Sequence, residues 1–198
     1  MKTRQASVVR DTTETQIRLS LNLDGNGTYK INTDCGFLNH MLELFAKHGQ
    51  FDLEVEAKGD MKFDDHHLIE DVGIVLGQAI KSAIGDKKGI RRYGFFMLPM
   101  DEVLLACATD LAGRFAFECN YQPVREKVND FATEMVRHFF KSLALSAEMN
   151  LHLQFLNPGE NEHHRIEGMF KGFARSLRMS CEMDPRAAGQ IPSTKGKL

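Results

Sequence analysis

The sequence predicts an α+β fold made from two copies of one strand-and-helix unit. Three observations carry that prediction. First, His-His-x-x-Glu occurs twice, as His66 to Glu70 and as His163 to Glu167. Second, the segments before each copy match in kind and order. His40-Met-Leu-Glu-Leu-Phe and Phe51-Asp-Leu-Glu-Val-Glu lead into the first copy; His138-Phe-Phe-Lys-Ser-Leu and Asn150-Leu-His-Leu-Gln-Phe lead into the second. Third, the same switch between period-2 and helical hydrophobic patterning recurs in both halves.

Ile17, Leu19, Leu21 and Leu23 alternate with polar residues and predict a half-buried strand. Asp24-Gly25 and Asn26-Gly27 tolerate positive φ and predict a hairpin. Phe37, Leu38, Met41, Leu42 and Phe45 fall at helical spacing, with Gly49 as the stop. Phe51, Leu53, Val55 and Ala57 alternate again. From Asp64 a second helical stripe runs through Leu68, Val72, Val75, Leu76 and Ala79 to Gly85, with an aspartate at its start to cap free amides.

The second half follows the same plan. Val103 to Ala108 and Phe115, Phe117 and Cys119 read as a strand pair, 131–147 as a helix, Leu151 to Phe155 as a strand, and Ile166, Phe170, Phe173 and Leu177 as a helical stripe. Each half is thus strand-strand-helix-strand-helix, with helices on one side of each sheet and the halves packed together to bury those faces. The repeats are set at about 1–88 and 89–183, in one domain, followed by an aperiodic tail, 184–198.

Composition narrows the function classes. The 198 residues are 42% hydrophobic and 26% charged, with a formal net charge of −2, an ordinary globular balance with no general pull toward nucleic acid or an anionic membrane. No apolar run is long enough to span a bilayer. The opening MKTRQASVVRDTTET lacks the apolar core of a secretory signal. Cys35, Cys107, Cys119 and Cys181 form no Cys-x-x-Cys pair and are expected as reduced thiols. A cytoplasmic enzyme is the expectation.

The histidines supply the chemistry. His66 and Glu70, and likewise His163 and Glu167, lie one turn apart on a helix face and can share a metal ion. His67 and His164 are rotated by about 100° and point elsewhere. His40 and His138, on the preceding helix of each half, complete a set of six imidazoles and two carboxylates. That donor set divides into four protein ligands for each of two ions. Without thiolate it suits manganese, iron or zinc, and open positions for substrate favour manganese or ferrous iron, between which the sequence does not choose. One such pair alone would read as a solvated helix start; two at the same offset argue for a metal site. Asp64, Asp65 and Asp71 are expected as a mixture of imidazole partners and helix-start charges. His48, ending the first helix near His40, is expected beside the site, and His152 outside it.

At this point the chain resembles the imidazoleglycerol-phosphate dehydratase family over nearly its whole length. The matching segments include Arg10-Asp-Thr-Thr-Glu14, Phe37-Leu-Asn-His40, His48-Gly-Gln-Phe-Asp-Leu, Gly59-Asp60, Asp65-His-His-Leu-Ile-Glu-Asp, Arg92-Tyr-Gly, Pro99-Met-Asp-Glu102, Gly113-Arg114, His163-His-Arg-Ile-Glu167, Phe170-Lys171 and Pro192-Ser193-Thr-Lys195-Gly. The resemblance implies a duplicated sandwich similar to ribosomal protein S5 domain 2, and an assembly of twenty-four subunits with sites at subunit contacts. It implies two manganese ions, one held by His40, His67, His163 and Glu167 and the other by His66, Glu70, His138 and His164, from neighbouring chains. Two departures stand out: Asn39 where the family usually has Asp, and Ala112 where it usually has Ser.

The implied reaction removes water from imidazole glycerol phosphate to give imidazole-acetol phosphate in histidine biosynthesis. The implied metal site binds the substrate ring as imidazolate, with His40, His48, His66, His67 and His163 as substrate-binding residues. Glu14, matching the family's arm glutamate, is the expected acid/base group, with Glu167 also at the reacting centre. The phosphate is assigned to Arg92, Arg114, Lys171, Ser193 and Lys195, with the tail ordering over the ligand. A dinuclear metallohydrolase and a metal-storage protein remain as alternatives; the first has no need of Glu14 or the Ser-Thr-Lys tail, the second little use for the phosphate-site cations.

Overall fold

The computed structural model describes residues 4–198. The first unit contains strands β1 (Gln5–Asp11), β2 (Thr15–Asn22) and β3 (Tyr29–Thr33), helix α1 (Gly36–Gly49), strand β4 (Asp52–Gly59) and helix α2 (His66–Ile84). The second repeats it with β5 (Tyr93–Met100), β6 (Val103–Asp110), β7 (Ala116–Cys119), α3 (Met135–Ala147), β10 (Asn150–Asn157) and α4 (Glu162–Cys181). A small hairpin, β8 (Lys127–Val128) and β9 (Phe131–Ala132), is inserted before α3.

The duplication extends to sheet topology: the orders are β1-β2-β4-β3 and β5-β6-β10-β7. In each sheet the third strand runs parallel to the last, joined to it through a helix. Each first helix also ends alike. Gln50 and Glu148 adopt left-handed φ values of 56° and 50°, and the next amides, Phe51 and Met149, bond back to Ala46 and Ala144. This closes the helix and turns the chain into the strand.

Four features differ from the sequence expectation. Each unit has an additional leading strand. β1 was hidden because one of its inward positions is Arg10, and β5 because Tyr93, Phe95 and Met97 make its outer face apolar too. The 24–27 turn does not make a hairpin, since β4 inserts between β2 and β3; the hairpin is β1–β2. For the same reason β6 and β7 are not a pair, with β10 between them. Helix α3 begins at Met135 rather than 131, because Phe131 is drawn into β9.

The four helices lie between the sheets. α2 packs on β1, β2 and α3, while α4 packs on β5, β6 and α1, so both units share one core. Ile17, Leu19 and Leu21 meet Leu38, Met41 and Phe45 in that core with Phe139, Phe140, Phe170 and Phe173. Close approach needs glycine at positions 77 and 94. A Cβ on Gly77 would lie 2.4 Å from the Leu143 carbonyl across the α2–α3 contact, and one on Gly94 would lie 1.9 Å from the Ser176 carbonyl where β5 meets α4. Gly94→Ala should therefore force backbone apart and lower stability by about 1–3 kcal/mol, read as a lower urea midpoint at unchanged slope.

Candidate metal centre

All the predicted ligand histidines sit in the first or second turn of a helix: His40 on α1, His66 and His67 on α2, His138 on α3, His163 and His164 on α4. His40, His163 and Glu167 converge, with ligand atoms within 4.8 Å of one another. His163 Nε2 lies 3.0 Å and His40 Nε2 3.6 Å from Glu167 Oε2. Glu167 is 8% exposed. Burial pushes its pKa up, but Lys171, paired with its other oxygen, and His163 outweigh that and hold it below the usual carboxylate range. His66 Nε2 lies 3.4 Å from Glu70 Oε2, and the His66 and His138 rings are 5.1 Å apart. Ser142 on α3 donates to Glu70 at 3.2 Å.

His67 and His164 join neither group within the chain. His67 Nδ1 lies 3.1 Å from Asp60, and its Nε2 is 3.9 Å from Glu14. His164 Nδ1 lies 2.9 Å from Glu102, with Asp101 3.6 Å from its Nε2. A carboxylate on Nδ1 fixes the ring and leaves Nε2 as the donor to a metal. His164 and Glu102 border a cavity of about 780 Å³ shared with Asn161 and Arg125.

Asp60 and Glu102 are thus the imidazole partners, and Asp64, Asp65 and Asp71, expected as a mixture, bond elsewhere. Asp64 accepts from the His66 amide, Asp65 from the Ala132 amide, and Asp71 pairs with Arg10 and Thr15. Sequence spacing could not find Glu102, which lies 62 residues from His164. Asn39 has a use for its amide that a carboxylate could not serve: its Oδ1 accepts from Thr33 N at 2.9 Å while its Nδ2 donates to Thr33 O at 3.3 Å. Ala112 is buried, and nothing in the structure explains its difference from serine. His152 projects to solvent from β10. His48 lies near Lys171, Arg175 and Glu167, and burial, reinforced by those cations, lowers its pKa.

The expected phosphate residues form a second region. Arg92 gives its fork to Asp110 at 2.7 and 3.2 Å and donates from Nη1 to Pro192 O at 2.9 Å. The tail is ordered: Gln190 accepts from Gly89 N, and Leu198 reaches Gly113, beside the exposed Arg114. Ser193 Oγ accepts from Lys195 N at 3.2 Å. This region lies at the far end of the helices from the histidines. Arg92 N bonds to Ser180 O, near the C-terminus of α4, whereas His163 is at its N-terminus. At 1.5 Å rise per residue that separation is about 25 Å. Lys171 alone of the group stays at the histidine end.

The family model for imidazoleglycerol-phosphate dehydratase matches residues 33–177. The chain belongs to the imidazoleglycerol-phosphate dehydratase family. This is a family of hydro-lyases. An imidazoleglycerol-phosphate dehydratase from Azorhizobium caulinodans is 53% identical over 98% of each chain, and one from Rhodopirellula baltica 52% identical over 98% of this chain and 96% of its own. The Staphylococcus aureus crystal structure superposes with a TM-score of 0.80 at 39% identity, covering 91% of this chain and 98% of its own. The Pyrococcus furiosus structure, solved in complex with (S)-C348, gives 0.82 at 30% identity, covering 96% and 100%. Among the described residues no helix is long and apolar enough to cross a membrane.

The imidazole–carboxylate contacts set a pH signature for metal-free protein. The Asp60 and Glu102 hydrogen bonds raise the pKa values of His67 and His164 above 6.5, and the His164 bond brings Glu102 down to about 2. The added stabilisation of the two imidazolium rings is present below pH 6.5 and is lost as pH rises through the raised imidazole values. A histidine-resolved NMR titration should find His67 and His164 above 6.5 and His48 below it, and Glu102→Gln should bring His164 alone back toward 6.5.

Proposed function

We propose that this chain dehydrates imidazole glycerol phosphate to imidazole-acetol phosphate, at a dimanganese site completed by neighbouring copies of the chain. The observation that supports it best is that the ligands fall into two incomplete sets, His40–His163–Glu167 and His66–Glu70–His138, with two further imidazoles held apart. Adding His67 to the first and His164 to the second gives three imidazoles and one carboxylate for each ion, the thiolate-free donor set that suits manganese. These residues would hold manganese, which would supply Lewis-acid charge favouring a deprotonated substrate ring.

The chain's own groups then have distinct work. Glu14 is half exposed, reaches His67 and belongs to neither ligand set, so it can move a proton on the substrate chain. A proton leaves one carbon, the hydroxyl on the carbon beside the ring leaves as water, and the resulting enol tautomerises to the ketone. Arg92, Arg114, Ser193, Lys195 and Lys171 bind the phosphate. A substrate of this size cannot bridge about 25 Å, so Arg92 and the tail would serve the histidines of another copy. A homo-oligomer is also favoured by Tyr93, Phe95 and Met97, exposed side by side on β5. Its mass in solution, about twenty-four chains, is the check on assembly. Such an enzyme would work in the cytoplasm.

The direct test is turnover by metal-stripped protein with and without manganese. Manganese-dependent imidazole-acetol phosphate is expected. Release of inorganic phosphate instead would favour the hydrolase, and a folded, loaded protein with neither product would sink the dehydratase. Glu14→Gln should reduce kcat by roughly 10²–10⁴ while leaving manganese affinity unchanged. That affinity should rise with pH across the window in which His67 and His164 lose their protons. Calorimetry in buffers of different ionisation enthalpy would register the protons released.

A further inference from the structure

The two units differ most at the link between the third strand and the first helix. In the first unit two residues, Asp34 and Cys35, join β3 to α1; in the second, 120–134 join β7 to α3 and include the β8–β9 hairpin. This insertion touches the start of every ligand-bearing helix. Asp130 accepts from the Gly36 and Phe37 amides at the head of α1, at 3.0 Å from Phe37. The Ala132 amide donates to Asp65, the residue before α2. Tyr121 OH and the Val124 amide, the latter at 2.8 Å, donate to the two oxygens of Glu162, the first residue of α4. Glu162 is 3% exposed. The insertion then runs directly into α3.

At α1 the contact replaces a cap the helix lacks, whereas α2 and α4 have cap bonds of their own, from the His66 amide to Asp64 and from the His163 amide to Asn161. Cys35, Asp65 and Glu134, the residues preceding α1, α2 and α3, make no side-chain cap bond to their own helices. Free amides at a helix start need partners, and at α1 the partner comes from 94 residues away. Phe131 stacks edge-on against Phe37, which in turn meets the His163 ring at 5.1 Å. The hairpin is thus one side chain removed from a ligand.

We propose that the 120–134 insertion is a positioning strap that fixes the four helix N-termini relative to one another, and so fixes the spacing of the metal ligands, with Asp130 and Tyr121 as its positioning residues. This rests on the metal site proposed above. Releasing Asp130 lets the first turn of α1 fray, and His40 with it, so the cost should appear in metal affinity and not only in stability.

The test is a Mn²⁺ titration of the metal-stripped full chain by calorimetry and electron paramagnetic resonance. Asp130→Ala should weaken Mn²⁺ binding by roughly 10–100-fold, as loss of groups that orient ligands does, and broaden the bound-ion spectrum. Asp130→Asn, still an acceptor, should recover part of the affinity. Tyr121→Phe keeps the ring and serves if Asp130→Ala does not fold; it should shift affinity in the same direction. Val55→Ala, in the core of β4, is the control, destabilised but with wild-type affinity. Wild-type affinity and spectrum in both strap variants, or an equal loss in Val55→Ala, would overturn the strap. Failure of the wild-type chain to bind Mn²⁺ would sink the metal reading itself and the strap with it.

Discussion

Everything at the site depends on the rigidity and polarity of four helices. Their N-termini gather the imidazoles and carboxylates; the C-terminal end of α4 meets Arg92 and the tail. An α-helix of this length does not bend back on itself, so about 25 Å separates the histidines from Arg92 and the tail. The core holds that separation in place, because α2 meets α3 through glycine contacts and α1, α3 and α4 share a continuous phenylalanine cluster. On the proposed function, association with other copies would bring these cations to the histidines.

Duplication explains both the economy of the site and its limits. One unit supplies His40, His66, His67 and Glu70, the other His138, His163, His164 and Glu167, each from the same two helices of its fold. In each unit the leading histidine of the His-His pair faces the glutamate one turn on, and the second faces away. The symmetry fails where the function needs asymmetry. His67 is steadied by Asp60, directly after β4, and His164 by Glu102, in the β5–β6 turn. These carboxylates arise from unrelated places in the repeat, yet each makes the same bond to Nδ1.

Electrostatics at the ligand end is balanced locally. Glu167 is buried between an ammonium and an imidazole, which keeps it ionised despite the loss of water. Burial, with Lys171 and Arg175, lowers the pKa of His48. At the other end, Arg92 is held in a fork by Asp110, which orients it but commits two of its N–H groups. The four cysteines are buried and unpaired, and burial pushes Cys35, Cys107 and Cys181 up to about 12, so they are spectators to this chemistry.

The sequence by itself determined the repeat, the helices and the ligand types, because periodicity and i to i+4 spacing are local properties of the chain. His66 with Glu70 and His163 with Glu167 were legible for that reason. β1 and β5 were not, since an inward arginine and an apolar outer face erase the alternation. Strand order was not either: β4 and β10 enter between strands that are neighbours in sequence, a choice made by helix crossover and core packing. Only the tertiary structure decided that Asp60 and Glu102, not the aspartates beside the first pair, hold the histidines. It alone put Arg92 a helix length from the histidines, because contact across many residues is set by packing and leaves no period in the chain.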